Sequence, residues 1–397
     1  MNKKIEKKGT GQKKKKPLFL AWLQLRKERA RLLVAIAGIS FADLLMFLQM
    51  GFRGALFSSA VEFHQSLNGE IVLLSSRSRS LISLDRFTER RLYTAAGVTG
   101  VESVSPIYLN FIQWRNPYNK EIWDIYAVGI NPEHQVMNLA GLQANWEKLR
   151  EPDTALFNAN SRSEFGAIAQ HLQSGESVTT EINERQIQIR GLFRLSPTFG
   201  INAYLITSDI NFLRMAPFRQ KGLIDVGVVK LKPDADVQRV LAELRSRLPN
   251  DVKVMTKAEY IQAEVAFWNA STPVGYTFDL GVVIAFIVGA VIVYQILYSD
   301  VTDHLPEYAT LKAMGFRDRY LLIVVFQESL ILAALGFLPG TAIALGVYEI
   351  TKIATSLPMA MDLGRIVFVF LLTAIMCSAS AAMAVRKLQT ADPADIF

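Results

Sequence analysis

One cysteine and four histidines in 397 residues leave little metal or thiol chemistry open. A single thiol excludes an intramolecular disulfide framework and a thiolate-rich zinc cluster, because both need several sulfurs. His64, His134, His171 and His304 show no ligand spacing. The chain has no G-x-x-x-x-G-K-[ST] loop, hence no recognisable cradle for nucleotide phosphates. It also lacks H-E-x-x-H, G-x-S-x-G and a Cys/His nucleophile pair, so no catalytic site is legible and the chain reads as non-enzymatic. Charge is scarce too: 20% of residues are charged, against ~25% in soluble domains. Hydrophobic residues make up 51% and the mean hydropathy is +0.22, which excludes disorder as the overall state.

The net charge of +7 invites a nucleic-acid reading. Its distribution removes that reading. Residues 1–31 hold twelve Lys and Arg against two acids, leaving the remainder at about −3. The start, KKIEKKGTGQKKKKP, has no aromatics to stack on bases and adjoins an apolar run, so anionic lipid headgroups are its nearest partner. From Pro17 to Leu33, Trp22 and aliphatics fall opposite Arg26, Lys27 and Arg29, as in an interfacial helix.

Four segments have the ~20 apolar residues that a ~30 Å hydrocarbon core requires of a helix. They begin at Leu32, Leu280, about Tyr320 and Ile366. The first resembles a signal peptide only in its basic start; it is too long and lacks a clean small-x-small end, so it reads as a retained span. The Lys and Arg cluster before it places the N-terminus inside, and four spans return the C-terminus inside.

The expected architecture is a membrane α-helical protein of four transmembrane helices with a large extracytoplasmic (periplasmic) α+β domain inserted between helices 1 and 2. Its expected parts are a basic cytoplasmic arm and interfacial helix, 1–31; a first span, 32–56; the outer domain, 57–279; and a second span, 280–299. A cytoplasmic coupling segment, 300–319, a third span, 320–348, an external loop, 349–365, a fourth span, 366–385, and a cytoplasmic tail, 386–397, follow. In the outer domain, strands are expected at Glu70 to Ser75, Val101 to Tyr108, Ile122 to Val128, Ser177 to Ile182, Arg185 to Phe193, Tyr204 to Ile206, Ile224 to Leu231 and Val252 to Met255. Helices are expected over Asp85 to Ala96 and Asp234 to Leu248, with Asn183-Glu184 a hairpin turn. Thr256 and Glu259 form a capping-box pattern opening a helix through Asn269. Such a helix either transmits force to the second span or simply connects to it.

Two acids fall inside spans. Asp43 lies near the middle of the first and Glu328 well inside the third. Intramembrane acids are functional candidates by default, and here structural hydrogen bonding, subunit packing and proton transfer are the competing readings. The segment after the second span carries Asp300, Asp303, His304 and Glu307, with Leu305, Tyr308, Leu311 and Met314 at helical spacing and Gly315 as a stop. It reads either as an amphipathic helix docking in a partner's groove or as a solvated turn.

Glu307-Tyr-Ala-Thr-Leu-Lys-Ala-Met-Gly315, followed by Glu328, Gly336 and Gly340, resembles the E-x-x-x-L-(K/R)-A-x-G…E…G…G pattern of FtsX/MacB-type permeases of ABC exporters. Asp392-Pro-Ala-Asp395 is similar to that family's D-P-A-x ending, and one span, an outer domain and three spans reproduce its order. Gly38 to Ala60, GISFADLLMFLQMGFRGALFSSA, resembles the DevC-type permeases of cyanobacterial exporters. The resemblance implies that Glu307, Leu311, Lys312, Ala313 and Gly315 form the ATPase-coupling segment. Where family members commonly carry a basic residue shortly before the glutamate, this chain has His304 and Pro306. It further implies a separate ABC ATPase carrying the ATP and Mg, no cofactor in this chain, a homodimer of the permease, and an inner-membrane location. A membrane-fusion adaptor, a TolC-like outer-membrane channel and export of a lipid, a glycolipid in DevC-type systems, complete the implied system. The rival readings are an FtsX-like regulator of a cell-wall hydrolase without transport, and a sensor, which would need a cytoplasmic output domain.

Overall fold

A computed structural model describes residues 29–198, 200–306, 310, 314 and 318–390. The basic arm to residue 28 and the coupling residues Glu307, Leu311, Lys312, Ala313 and Gly315 lie outside the described residues. The chain divides into two compact units. The sheet unit comprises 53–276 with 351–359, and the helical unit holds the remainder.

In chain order the elements are α1 (Arg29–Ser66), β1 (Ile71–Ser75), β2 (Phe87–Thr88), α2 (Arg90–Ala96), β3 (Val101–Arg115), β4 (Ile122–Ile130) and β5 (Thr154–Asn158). Next come α3 (Ile168–Gln173), β6 (Val178–Ile182), β7 (Arg185–Phe193), β8 (Tyr204–Ser208), α4 (Asp209–Met215), β9 (Leu223–Ile224) and β10 (Val226–Leu231). Last are α5 (Val237–Arg247), β11 (Val252–Thr256), α6 (Lys257–Ser271), α7 (Val274–Asp303), α8 (Asp318–Thr355) and α9 (Leu363–Thr390). Helices α1, α7, α8 and α9 are each long and apolar enough to cross a membrane.

The large sheet runs β11-β1-β10-β3-β4-β8-β5-β7-β6, and β3 also pairs with β6 at Trp114–Ile182 and Arg115–Glu181, so six of its strands close a ring. Successive side chains of a strand point to opposite faces, and both faces here are covered. Ile71 and Leu73 of β1 join one core with Leu92 and Ala95 of α2 and Val240, Leu241 and Leu244 of α5. Val72 and Leu74 join a second core with Phe63 of α1, Leu67, Tyr260 of α6, and Trp146 and Leu149 of a 3-10 turn. Two-sided burial explains why the strands read as near-continuous apolar runs.

Local chemistry sets several boundaries. Asn183 and Glu184 both take positive φ, 44° and 64°, as a two-residue hairpin of the primed type needs between β6 and β7. Asp236 caps α5 by accepting from the backbone N–H of Gln238 and Arg239. The capping box of α6 forms as its pattern suggests, with both the Thr256 and Glu259 side chains engaged.

The helix expected from Asp85 starts only at Arg90, because Phe87 and Thr88 pair with Ile224 and Leu223 as a small second sheet. Strand β3 runs seven residues past Tyr108, held by unbroken pairing with β4 out to Arg115–Ile122. Strand β5 and helix α4 were not anticipated. TALFN is too short to show a period, and α4 is signalled only by its Ser208 cap, whose hydroxyl accepts from Asn211 N–H.

Candidate functional site

Within the helical unit, α1 touches every other long helix. Helices α1 and α7 run antiparallel in one continuous register. The rings of Phe52 and Phe278 stack at 6.4 Å. Beyond them, Gln49 lies over Gly281, Ala42 over Gly289, and Ile292 over Gly38. The glycines permit the approach: a Cβ at Gly38 would fall 2.6 Å from Ile292 Cγ2, and one at Gly289 would fall 2.8 Å from Ala42 Cβ. Helix α9 joins α7 where Ser380 Oγ donates to the carbonyl of Ala290, 2.8 Å away.

Gly336 and Gly340 of α8 mark where α1 crosses it. A Cβ on Gly336 would meet Ile39 Cβ at 2.6 Å, and one on Gly340 would meet Ser40 O at 3.0 Å and Asp43 Cβ at 3.1 Å. Their four-residue spacing puts both on one helix face. Ser40 Oγ donates its proton between the carbonyls of Ile36, at 2.6 Å, and Gly336, at 2.8 Å. The Tyr348 hydroxyl of α8 donates to the Phe47 carbonyl of α1. Asp43 is fully buried, and Thr373 Oγ1 of α9 donates to its Oδ1 at 2.5 Å. Its Oδ2 has no hydrogen-bond partner among the described residues. Each cross-helix hydrogen bond satisfies a polar group in a place where lipid offers no alternative.

Within the sheet unit, the last turns of α1 are gripped by α6. His64 is fully buried, its ring 4.2 Å from that of Tyr260 and its Nε2 3.3 Å from Glu264 Oε2. Glu264 is also buried. It accepts from Trp268 Nε1 at 2.8 Å and from the backbone N–H of Leu81 at 2.9 Å. Lys257 at the start of α6 donates from Nζ to the Leu67 carbonyl, 2.6 Å away, at the C-terminal end of α1. A cation there offsets the negative end of the helix dipole. Burial lowers the Lys257 ammonium below the usual lysine range, and nearby Glu70 opposes that shift. Glu62 accepts from Ser196 N–H at 2.9 Å, and Ser66 O accepts from Asn138 N–H at 2.7 Å. Burial first, then the Glu264 charge, hold the Tyr260 phenol well above its ordinary value, so it stays neutral.

Asp43 and Glu328 both lie buried in the helical unit. Thr373, the partner of Asp43, carries no sequence signal that marks it for that role. The His64–Glu264 grip went unseen because single histidines and acids have no spacing rule. One sign was present: Tyr260, Glu264 and Trp268 recur at four-residue intervals, placing a carboxylate between two aromatics on one helix face. No group of three or more potential metal ligands occurs among the described residues.

Four membrane-length helices together with a large α+β sheet domain define a multi-pass membrane protein. Residues 280–393 match the FtsX family model, described as FtsX-like permease C-terminal. That match identifies an FtsX-like permease domain over these residues, within which the Glu307–Gly315 sequence falls. Among solved structures it is similar to the periplasmic region of MacB from Actinobacillus actinomycetemcomitans, at 12% identity and TM-score 0.37, covering 51% of this chain and 96% of that one. The extracellular domain of the noncanonic ABC-type transporter YknZ from Gram-positive bacteria matches at 14% identity and TM-score 0.33, covering 47% and 100%. A domain of a putative permease protein from Porphyromonas gingivalis matches at 12% identity and TM-score 0.30, covering 49% and 90%. No curated protein matches the chain.

Proposed function

We propose that this chain is the permease subunit of a MacB/DevC-type ABC exporter. It passes ATP-driven motion of a separate ATPase to an external domain and so drives a lipid, in the DevC-type case a glycolipid, towards an adaptor and an outer-membrane channel. The observation that carries this reading is the placement of α1. One helix packs on α7, α8 and α9 in the helical unit, and its final turns are held by α6 in the sheet unit. A helix so held at both ends is suited to carry a displacement along its axis, because helices are stiff and packed contacts do not deform continuously.

In this reading Glu307, Leu311, Lys312, Ala313 and Gly315 receive the ATPase, which carries the ATP and Mg. Two permease chains stand in the inner membrane, with termini inside and the sheet domain outside. The twelve Lys and Arg against two acids over residues 1–31 support that orientation. Asp43, bonded to Thr373, acts as a structural tie between α1 and α9.

Deleting the gene tests the reading. Accumulation of a lipid inside the cell, with peptidoglycan hydrolysis unchanged, is the expected result. Unchanged export together with impaired hydrolysis would replace it with the FtsX-like regulator.

A further inference from the structure

The α1–α7 register continues past Gly38–Ile292 into a charged end. Leu32 and Ala35 of α1 pack with Leu297 and Val301 of α7. One turn further, Arg31 Nη2 stands 2.5 Å from Asp303 Oδ2, and Arg31 Nη1 stands 3.5 Å from Asp300 Oδ1. The Asp300 side chain is only 8% exposed, and His304 Nδ1 lies 3.6 Å from its Oδ1. The two aspartates, three residues apart on a helix, present one face to the guanidinium fork. As sequence, Arg31 belongs to a basic cluster whose evident roles are orientation and lipid contact. In the fold its charge is turned onto α7.

We propose that Arg31 is a positioning residue for ATPase coupling. Through Asp303 and Asp300 it fastens the first turn of α1 to the end of α7, where the coupling segment begins. A displacement of that segment then moves α1 and α7 as one body. Without the fork, the end of α7 can shift against α1. The inference rests on the exporter reading, since it presumes an ATPase docking just beyond Asp303. It adds the residue by which docking reaches α1.

The test uses the full chain co-assembled with its ATPase in membranes, with ATP hydrolysis and substrate release measured together. Arg31→Glu and Asp303→Arg are each expected to lower permease-dependent stimulation of the ATPase about fivefold or more, and the double variant to recover to within about twofold of the parent, as contacting residues do in a double-mutant cycle. Arg31→Lys keeps the charge but loses the fork, and is expected to fall between. Equal membrane abundance and equal protease resistance of the sheet domain in all variants separate coupling from misfolding.

Full stimulation by Arg31→Glu overturns the proposal. So does a loss that Asp303→Arg fails to rescue, which would assign Arg31 to lipid contact. Gly315→Pro distinguishes the deeper failure. If Gly315→Pro uncouples while Arg31→Glu does not, only the Arg31 assignment falls; if Gly315→Pro stimulates normally, the exporter reading falls with it.

Discussion

In the helical unit α1 meets its neighbours largely through what is missing: Gly38 faces Ile292, Gly336 faces Ile39, Gly340 faces Ser40, and hydroxyls donate to main-chain carbonyls. In the sheet unit the same helix ends among full-sized side chains, with His64 against Tyr260 and Glu264, and Phe63 inside an apolar core. The solvent each region evolved in explains the contrast. Lipid gives apolar side chains no reason to prefer one another, so close backbone approach and satisfied polar groups decide helix packing there. Water rewards apolar burial, and a domain with two such cores can support a buried carboxylate holding several donors.

Four substitutions separate the two kinds of packing. The largest effect is expected from Glu264→Ala. It strips the acceptor from Leu81 N–H and Trp268 Nε1 and removes the partner of His64. Chemical denaturation of the purified chain should show the sheet domain losing about 3–5 kcal/mol. Gly336→Val comes next. It forces a side chain into Ile39 and should cost the helical unit about 1–3 kcal/mol while leaving sheet-domain protease resistance intact. Thr373→Val removes one buried donor from Asp43 and should cost about 1 kcal/mol, read as earlier unfolding of the helices in detergent titrations.

The smallest effect is a pH slope. The Arg185 hydrogen bond, followed by its charge, holds the Asp153 carboxyl below the ordinary aspartate value of 3.8. A carboxyl depressed in the folded state adds stability that is present above 3.8 and fades as pH falls through its folded value. Both side chains are about two-fifths exposed, so the contribution is at most about 1 kcal/mol. Asp153→Asn should lower stability at pH 7 by that amount, converge with the parent at low pH, and so flatten the acid limb of the stability curve.

Much of the fold was legible because periodicity and capping are local. Four apolar runs announced the long helices, Asn183-Glu184 announced a hairpin, and Thr256 with Glu259 announced α6. Closure of the sheet through β3 and β6 was not legible, since Trp114 and Ile182 are distant in sequence and no local rule pairs them. The candidate site was half legible. Gly336 and Gly340 stood out as a motif, but their purpose, admitting α1, needed the third dimension. His64 and Glu264 are 200 residues apart, and Arg31 and Asp303 are 272 apart. Pairs of that kind leave no trace in composition.

The central claim, that motion of a separate ATPase is passed through this chain, meets its most direct test in Glu307→Lys. ATP hydrolysis and substrate release are measured side by side in membranes holding the assembled complex. The account predicts that release is lost and permease-dependent stimulation of the ATPase disappears, while basal hydrolysis and the folded sheet domain persist. Release and stimulation at the parent rate would contradict it.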